Sequence, residues 1–174
     1  ENVHFTNISV QGSGLHFNGH SYVSIPMDLS PSAMPKVTVG AWIRLSASYN
    51  VDSRKLRFLF GSRNSSDTTS SIMDDACIRG LALSTAFAQC LGANQWSRSA
   101  PYEQHKWHLV AISYDHVNEA AHLYVDGNMV VSDLSNSASV ASAFMGDTLI
   151  LGGGESNASI GFSGIVDNLF IYNT

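Results

Sequence analysis

WHLVAISYDHVNEAAHLYVDGNMVV, which spans Trp107 to Val131, carries the strongest strand pattern in the chain. Apolar and polar residues alternate through its first third, and a period of two is typical of a strand that buries one face. After a turn at 115–118 the alternation resumes, and Asp126-Gly127 then matches a two-residue turn that needs positive φ. The stretch therefore predicts three consecutive antiparallel strands.

The same alternation recurs in other segments. Between Val37 and Leu45 the odd-numbered residues are apolar, whereas the even-numbered ones include Thr38 and Arg44. Further strands are predicted at 148–151 and 165–172. Strands at intervals of about 8–12 residues, with no long helical periodicity between them, predict an all-β fold, namely an antiparallel two-sheet β-sandwich.

Length and composition limit the possible functions. The 174 residues predict one domain, 1–174, which we expect to be excised from a larger extracellular protein. The net charge of -5 argues against a nucleic-acid partner, because phosphates require a concentrated basic surface. The sequence has no apolar run of about 18 residues, so we expect no direct membrane insertion.

Cysteines and glycosylation sequons favour an oxidising, extracellular environment. Asn-x-Ser sequons begin at Asn7, Asn64 and Asn157, and we expect each asparagine to carry a glycan. Cys77 and Cys90 are then expected to form a disulfide bond. Closing a loop of about 15 residues contributes about 3 kcal/mol in the chain-entropy account. The alternative is two buried free thiols.

Five segments, taken in order, carry a family resemblance. They are Leu15 to Ile25, Val37 to Ile43, Trp107 to Asp115, Leu123 to Gly127 and Gly164 to Asn173. Together they resemble the laminin G-like branch of the concanavalin A-like jelly rolls, over about residues 13 to 173. The resemblance implies a jelly-roll sandwich. This fold serves lectins, pentraxins, adhesion domains of cell-surface receptors and carbohydrate-binding appendages of glycosidases, so it does not specify a ligand.

The resemblance also implies a structural calcium ion. In laminin G-like proteins the aspartate that matches Asp167 often binds calcium with oxygens of a Phe-Asn/Asp-Gly turn, which corresponds here to Asn18 and neighbouring carbonyls. Asp167 alternates in step with apolar residues of the predicted last strand, which are Ile165, Leu169 and Ile171. A carboxylate on an apolar face requires a metal, an ion pair or hydrogen-bond donors. The alternative is that Asp167 accepts hydrogen bonds from backbone amides of an opening hairpin, predicted over 14–25 with its turn at Asn18-Gly19.

The predicted ligand-binding residues lie in irregular segments between strands. Trp96, Arg98 and Tyr102 combine aromatic rings with a charge, a mixture that stacks on sugar rings or anchors a protein interface. The alternative is that these rings pack a long loop. Asp74 and Asp75 form a second candidate, for which a solvated turn is the alternative.

Two other groups of residues have simple structural interpretations. Trp42 and Trp107 lie within strands and are expected to pack between the sheets or on a concave face. The basic cluster Arg54-Lys55-Arg57 is expected to be solvated, with an anionic-glycan patch as the alternative.

Catalysis is not expected. The glucanase branch of this fold uses Glu-x-Asp-x-Glu, and none of the four glutamates of this chain begins that motif. The sequence therefore predicts a non-catalytic extracellular recognition or adhesion module that binds a protein or a cell-surface glycan. The alternative is a carbohydrate-binding (lectin) module attached to a glycosidase.

Overall fold

The computed structural model describes residues 3–46, 57–63, 80–83, 87–90, 96–98, 103, 105–118, 120–133, 146–152 and 162–173. The strands are β1 (His4–Thr6), β2 (Gly14–Asn18), β3 (Val23–Pro26), β4 (Lys36–Leu45), β5 (Arg57–Arg63), β6 (Gly80–Leu83), β7 (Phe87–Cys90), β8 (Trp96–Arg98), β9 (Trp107–Asp115), β10 (Ala120–Val125), β11 (Asn128–Asp133), β12 (Thr148–Leu151) and β13 (Ser163–Asn173). In β5 to β8 the description covers the backbone and the side chain of Leu59.

These strands form two antiparallel sheets, and the predicted all-β jelly-roll sandwich is confirmed. The seven-stranded sheet has the order β1-β2-β13-β4-β9-β10-β11, and the six-stranded sheet has the order β3-β12-β5-β6-β7-β8. Strands β9, β10 and β11 are consecutive and antiparallel, as predicted. Asp126 and Gly127 join β10 to β11 with φ angles of 51° and 79°, as a primed two-residue turn requires. No helix in the described part of the chain is long and apolar enough to cross a membrane.

The alternating residues of β4 and β9 build the core. The inward side chains of β4 are at most 2% exposed and belong to Val37, Val39, Ala41, Ile43 and Leu45. Those of β9 are fully buried and belong to Val110, Ile112 and Tyr114. Leu59, Leu149 and Leu151 pack against them from the six-stranded sheet. Each large apolar side chain that is fully buried contributes about 1.5–3 kcal/mol, so the alternation fixes which face of each strand points inward.

The opening segment does not form the predicted hairpin. β2 pairs with β1 and β13, whereas β3 pairs with β12 in the other sheet. The residues between them, including Gly19 at φ 88°, carry the chain from one sheet to the other. Phe17 is buried in the core, and Ile25 packs against the same core from the opposite sheet. A hairpin within one sheet would remove that contact, which is why the chain crosses the sandwich here.

A bulge in β13 reverses the alternation of its side chains. The register with β4 shifts within 167–170, and Asn168 has a φ of 48°. Leu169 and Ile171 pack against the core, whereas Asp167 faces the outside of the seven-stranded sheet. The predicted alternation of Asp167 with those two residues is therefore wrong, because the extra residue of a bulge changes the phase of the strand.

Candidate functional site

Asp167 joins the last strand to the first loop of the chain. Its Oδ2 accepts hydrogen bonds from the backbone N–H groups of Val10 (2.7 Å) and Gln11 (2.9 Å). Its Oδ1 accepts a third from the backbone N–H of Asn168 at 2.8 Å. Asp167 is 6% exposed, so a buried carboxylate is compensated by three amides. These bonds hold the loop between β1 and β2 against the outside of β13.

The predicted calcium pair, Asn18 and Asp167, is not brought together. Asn18 lies opposite Ser163, and Asp167 is four residues further along β13, a separation of roughly 13 Å. The Asn18 Oδ1 accepts a hydrogen bond from the backbone N–H of His20 at 2.9 Å instead. The prediction that Asn18 and Asp167 share one site is therefore wrong, because the turn at Asn18 connects the two sheets and does not lie beside Asp167. Asp167 does accept hydrogen bonds from backbone amides, as the alternative prediction had it, but these amides belong to the β1–β2 loop rather than to an opening hairpin.

These residues therefore do not fit the calcium ion that the resemblance implies. Three amide hydrogens already occupy both oxygens of Asp167, whereas calcium takes six to eight oxygen ligands. Among the residues that the structure describes, no cluster of three or more His, Cys, Asp or Glu side chains could hold a metal.

Outward-facing residues of the seven-stranded sheet form a set of aromatic rings. Residues that lie directly opposite in antiparallel strands share a face. One such row crosses β13, β4, β9, β10 and β11 and consists of Phe170, Gly40, Ala111, Tyr124 and Met129. The neighbouring row consists of Tyr172, Thr38, Ser113 and His122. We define the outer aromatic face as Thr38, Trp42, Ser113, His122, Tyr124, Phe170 and Tyr172.

The rings of this face are packed in pairs and partly exposed. The Phe170 and Tyr172 centroids are 5.4 Å apart, and those of His122 and Tyr124 are 6.4 Å apart. The Phe170 ring lies over Gly40, where any added Cβ would overlap it. Tyr172 is 58% exposed, so solvent reaches this end of the face. The missing side chain of Gly40 therefore leaves the space that the Phe170 ring occupies.

The polar groups of the outer aromatic face are hydroxyls, the indole N–H of Trp42 and the imidazole of His122. The Thr38 Oγ1 donates a hydrogen bond to the Ser113 Oγ at 3.1 Å across β4 and β9. His122 stands in the same row, and its Nδ1 is buried without a hydrogen-bond partner. The face thus combines apolar ring surface with groups that donate and accept hydrogen bonds.

Charged residues lie at the two ends of this face. At one end the Lys36 Nζ is 2.8 Å from the Asp115 Oδ2. Partial burial opposes ionisation of Asp115, but hydrogen bonds from Lys36 and Asn118 outweigh it and hold the pKa of this carboxyl well below its usual range. At the other end the Arg44 Nε donates to the His105 carbonyl at 2.9 Å. A further charged group, the Asp167 carboxylate, lies opposite Trp42 on the same side of the sheet, where three backbone amides bind it.

His116 lies beside the Lys36–Asp115 pair, in the turn after β9. Its ring stacks on Tyr114 with centroids 6.5 Å apart, and both ring nitrogens are buried without a hydrogen-bond partner. This burial lowers the pKa of His116, and the Asp115 carboxylate opposes the shift. The neutral imidazole is therefore the form that suits the folded chain.

The tryptophans of β4 and β9 do not pack between the sheets. Trp42 and Trp107 occupy the outward phase of their strands, and Trp42 lies between Asp167 and Leu109 in the ladder. The sequence contained a signal for this arrangement, because Trp42 alternates with the core residues of β4 rather than coinciding with them. The outer rings of β13 were harder to find because the bulge changes their phase.

The predicted loop residues have mixed outcomes. Trp96 and Arg98 lie in β8 and pair with Cys90 and Ala88 of β7, so this part of the irregular segment is a strand. Their side chains lie outside the described part of the structure. Tyr102 also lies outside it.

The remaining predicted residues are described only in part. Asp74, Asp75, Cys77, Asn64 and Asn157 fall outside the described residues. Cys90 is the last residue of β7, and Asn7 is an exposed residue directly after β1. The disulfide bond and the glycosylation of all three sequons stay predictions.

A comparison with protein families decides the classification. The family model described as the concanavalin A-like lectin/glucanases superfamily matches residues 17–174. The chain belongs to this superfamily. A comparison of the chain with curated proteins gives no match.

Solved structures with the superfamily's fold include parts of glycosidases. Domain 4 of AbnA, a GH43 extracellular arabinanase from Geobacillus stearothermophilus in complex with arabinotriose, is 17% identical with a TM-score of 0.65, covering 99% of this chain and 76% of that chain. A Trypanosoma rangeli sialidase mutant displaying trans-sialidase activity is 19% identical with a TM-score of 0.67, covering 98% of this chain and 27% of that one. The K499G mutant of NanB sialidase from Streptococcus pneumoniae is 14% identical with a TM-score of 0.63, and the match covers 93% of this chain and 26% of that chain. The chain thus spans about a quarter of the sialidases, and the likeness concerns the fold alone.

Proposed function

We propose that this domain is a non-catalytic carbohydrate-recognition module that works within a larger extracellular protein. The observation that carries the proposal is the outer aromatic face, where partly exposed rings and hydroxyls are held on a rigid sheet. Membership of a superfamily of lectins and glucanases supports it. Two similar structures also support it: AbnA domain 4 is in complex with arabinotriose, and in the sialidases the part similar to this chain makes up about a quarter of the sialidase chain.

The chemistry of this face suits a sugar. A sugar ring has a C–H surface that stacks on an aromatic ring, and each square ångström of apolar surface removed from water contributes about 25 cal/mol. The hydroxyls of Thr38 and Ser113 then orient the sugar through hydrogen bonds. Because these groups stand on paired strands, little conformational freedom is lost on binding.

Glycan binding by point variants tests the proposal. We expect the wild-type chain to bind glycans on an array, and Tyr124→Ala and Tyr172→Ala to weaken that binding. Phe5→Ala is the matched control, because Phe5 is an 80% exposed aromatic residue on β1, outside the face. Absence of binding to any glycan, with or without calcium, would overturn the proposed function.

Protein recognition through the same face is the second candidate. Tyr172 is 58% exposed, and Met129, which lies beside the face opposite Tyr124, is 55% exposed; both residue types are enriched in protein interfaces. A cell-surface protein captured by the wild type but not by Tyr172→Ala, combined with a blank glycan array, would establish adhesion in place of sugar binding.

The extracellular setting can be tested at Asn7. The asparagine is exposed in a turn, and Ser9 of the same sequon donates a hydrogen bond to the Gly12 carbonyl at 2.8 Å. We expect an N-linked glycan here when the parent protein is secreted from eukaryotic cells. Intact-mass measurement before and after enzymatic deglycosylation, with Asn7→Gln as control, measures occupancy. An identical mass for the secreted wild type and its deglycosylated form would contradict this.

A further inference from the structure

We propose that the outer aromatic face selects neutral oligosaccharides and rejects sialylated or sulfated ones. This inference rests on the proposed function and adds the ligand class. The proposed function depends on the presence of aromatic rings, whereas the ligand class depends on the charge of the face and on its length.

The outer aromatic face, as far as the structure describes it, contains no Lys or Arg side chain. Carboxylates and sulfates are bound by Arg or Lys side chains, usually through charge-assisted hydrogen bonds. Trp42, Tyr124, Phe170 and Tyr172 supply ring surface, two phenol hydroxyls and one indole N–H, none of which carries a positive charge. The two cations at its ends already have partners: the Lys36 ammonium is paired with Asp115 at 2.8 Å, and the Arg44 Nε donates to the His105 carbonyl at 2.9 Å.

The whole chain carries an excess of negative charge. The chain has nine Lys and Arg residues and fourteen Asp and Glu residues, which give a net charge of -5. An anionic glycan therefore approaches a repulsive field, and no local cation in the described part of the face offsets it. A neutral glycan does not encounter this repulsion, so its binding should respond little to salt.

The rings of the outer aromatic face are spread over a distance of several strands. Phe170 and Tyr124 stand on β13 and β10, which are separated by β4 and β9. Three spacings between neighbouring strands amount to about 14 Å. That distance exceeds one sugar ring, so the face is suited to an oligosaccharide and affinity should increase from a monosaccharide to a trisaccharide.

Titration calorimetry with matched sugars tests the inference. The probes are arabinotriose, arabinose, a sialylated trisaccharide and a sulfated trisaccharide, each at low and high salt. We expect arabinotriose to bind most tightly and with little salt dependence. Tyr124→Ala and Tyr172→Ala should each weaken it about two- to tenfold, the range expected for one aromatic stacking contact, whereas Phe5→Ala should not change it.

Each other result has a defined meaning. Tighter, salt-sensitive binding of the sialylated or sulfated probe would overturn the inference while leaving carbohydrate recognition intact. Arg44→Gln and the double variant Arg54→Ser, Lys55→Ser would then locate the anionic site. Neutral binding that both tyrosine variants preserve would also overturn it, because the sugar site would lie elsewhere. Self-association abolished by Tyr172→Ala would assign the face to a second copy. No binding of any sugar would overturn the proposed function itself.

Discussion

Replacing Asp167 by asparagine should destabilise the domain without affecting any response to calcium. Asparagine replaces one carboxylate oxygen with an amide NH2, which cannot accept a hydrogen bond. At least one of the three backbone N–H groups, from Val10, Gln11 or Asn168, then loses its acceptor in a site only 6% exposed.

The size of this effect follows from the lost hydrogen bonds. A hydrogen bond to a charged group contributes about 1.5–3 kcal/mol, and leaving a buried donor unsatisfied costs about 1–3 kcal/mol. We therefore expect Asp167→Asn to lower the free energy of unfolding by about 2–4 kcal/mol. For a domain of this size that corresponds to a decrease in Tm on the order of 5–15 °C.

Thermal and denaturant unfolding, each with and without a chelator, provide the measurement. Asp28→Asn is the control, because Asp28 also accepts a backbone N–H, from Ser30 at 2.9 Å, but at an exposed position where we expect little change. Equal stability of Asp167→Asn and wild type would refute the amide-binding role. A chelator that lowers the Tm of wild type but not of Asp167→Asn would place calcium at Asp167 after all.

The remaining predictions concern the sheet and its charged end. Gly40→Ala should displace the Phe170 ring, because the new Cβ overlaps that ring, and should lower the free energy of unfolding by about 1–3 kcal/mol. An unchanged midpoint in a denaturant titration would contradict this. In the folded chain the pKa of His116 lies below its ordinary value of 6.5, so the unfolded chain takes up the proton first and stability should fall as pH decreases below about 6.5. His116→Phe should reduce this pH dependence. Identical profiles of stability against pH for wild type and His116→Phe would contradict it. The depressed pKa of Asp115 stabilises the fold fully above about pH 4 and progressively less as pH falls towards the folded pKa. Asp115→Asn should therefore lose about 1–2 kcal/mol at neutral pH and less in acid, measured by urea unfolding, and a loss that grows in acid would refute the assignment.

The sequence predicts the strands well where alternation is uninterrupted. β4, β9 and β12 begin and end within one residue of the predicted limits, because one face of each strand is buried in the core. The Asp126-Gly127 turn was also predictable, since few residue pairs adopt positive φ twice in succession.

Long-range geometry could not be read from the same pattern. Periodicity assigns two faces to a strand but does not say which sheet the strand joins, so the crossing between β2 and β3 was mistaken for a hairpin. A single extra residue at Asn168 reverses the phase of β13, and nothing in the local composition marks it. Asp167 consequently contacts a loop more than 150 residues away in sequence, as its bonds to Val10 and Gln11 show.

The candidate site depended on these same long-range features. The outer aromatic face combines residues of β4, β9, β10 and β13, which come together only when the strand order of the sheet is known. The sequence instead predicts Trp96, Arg98 and Tyr102, which come from a single segment, because a sequence shows only local clustering. Pairing across strands is what placed Tyr124 and Phe170 in one row.

Carbohydrate recognition by the outer aromatic face can be tested by measuring arabinotriose binding to wild type and to the double variant Tyr124→Ala, Tyr172→Ala, with Phe5→Ala as control. We expect wild type and Phe5→Ala to bind, and we expect the double variant to lose binding while it keeps the unfolding transition of wild type. Equal binding by all three proteins, or binding by none, would contradict the assignment of carbohydrate recognition to the outer aromatic face.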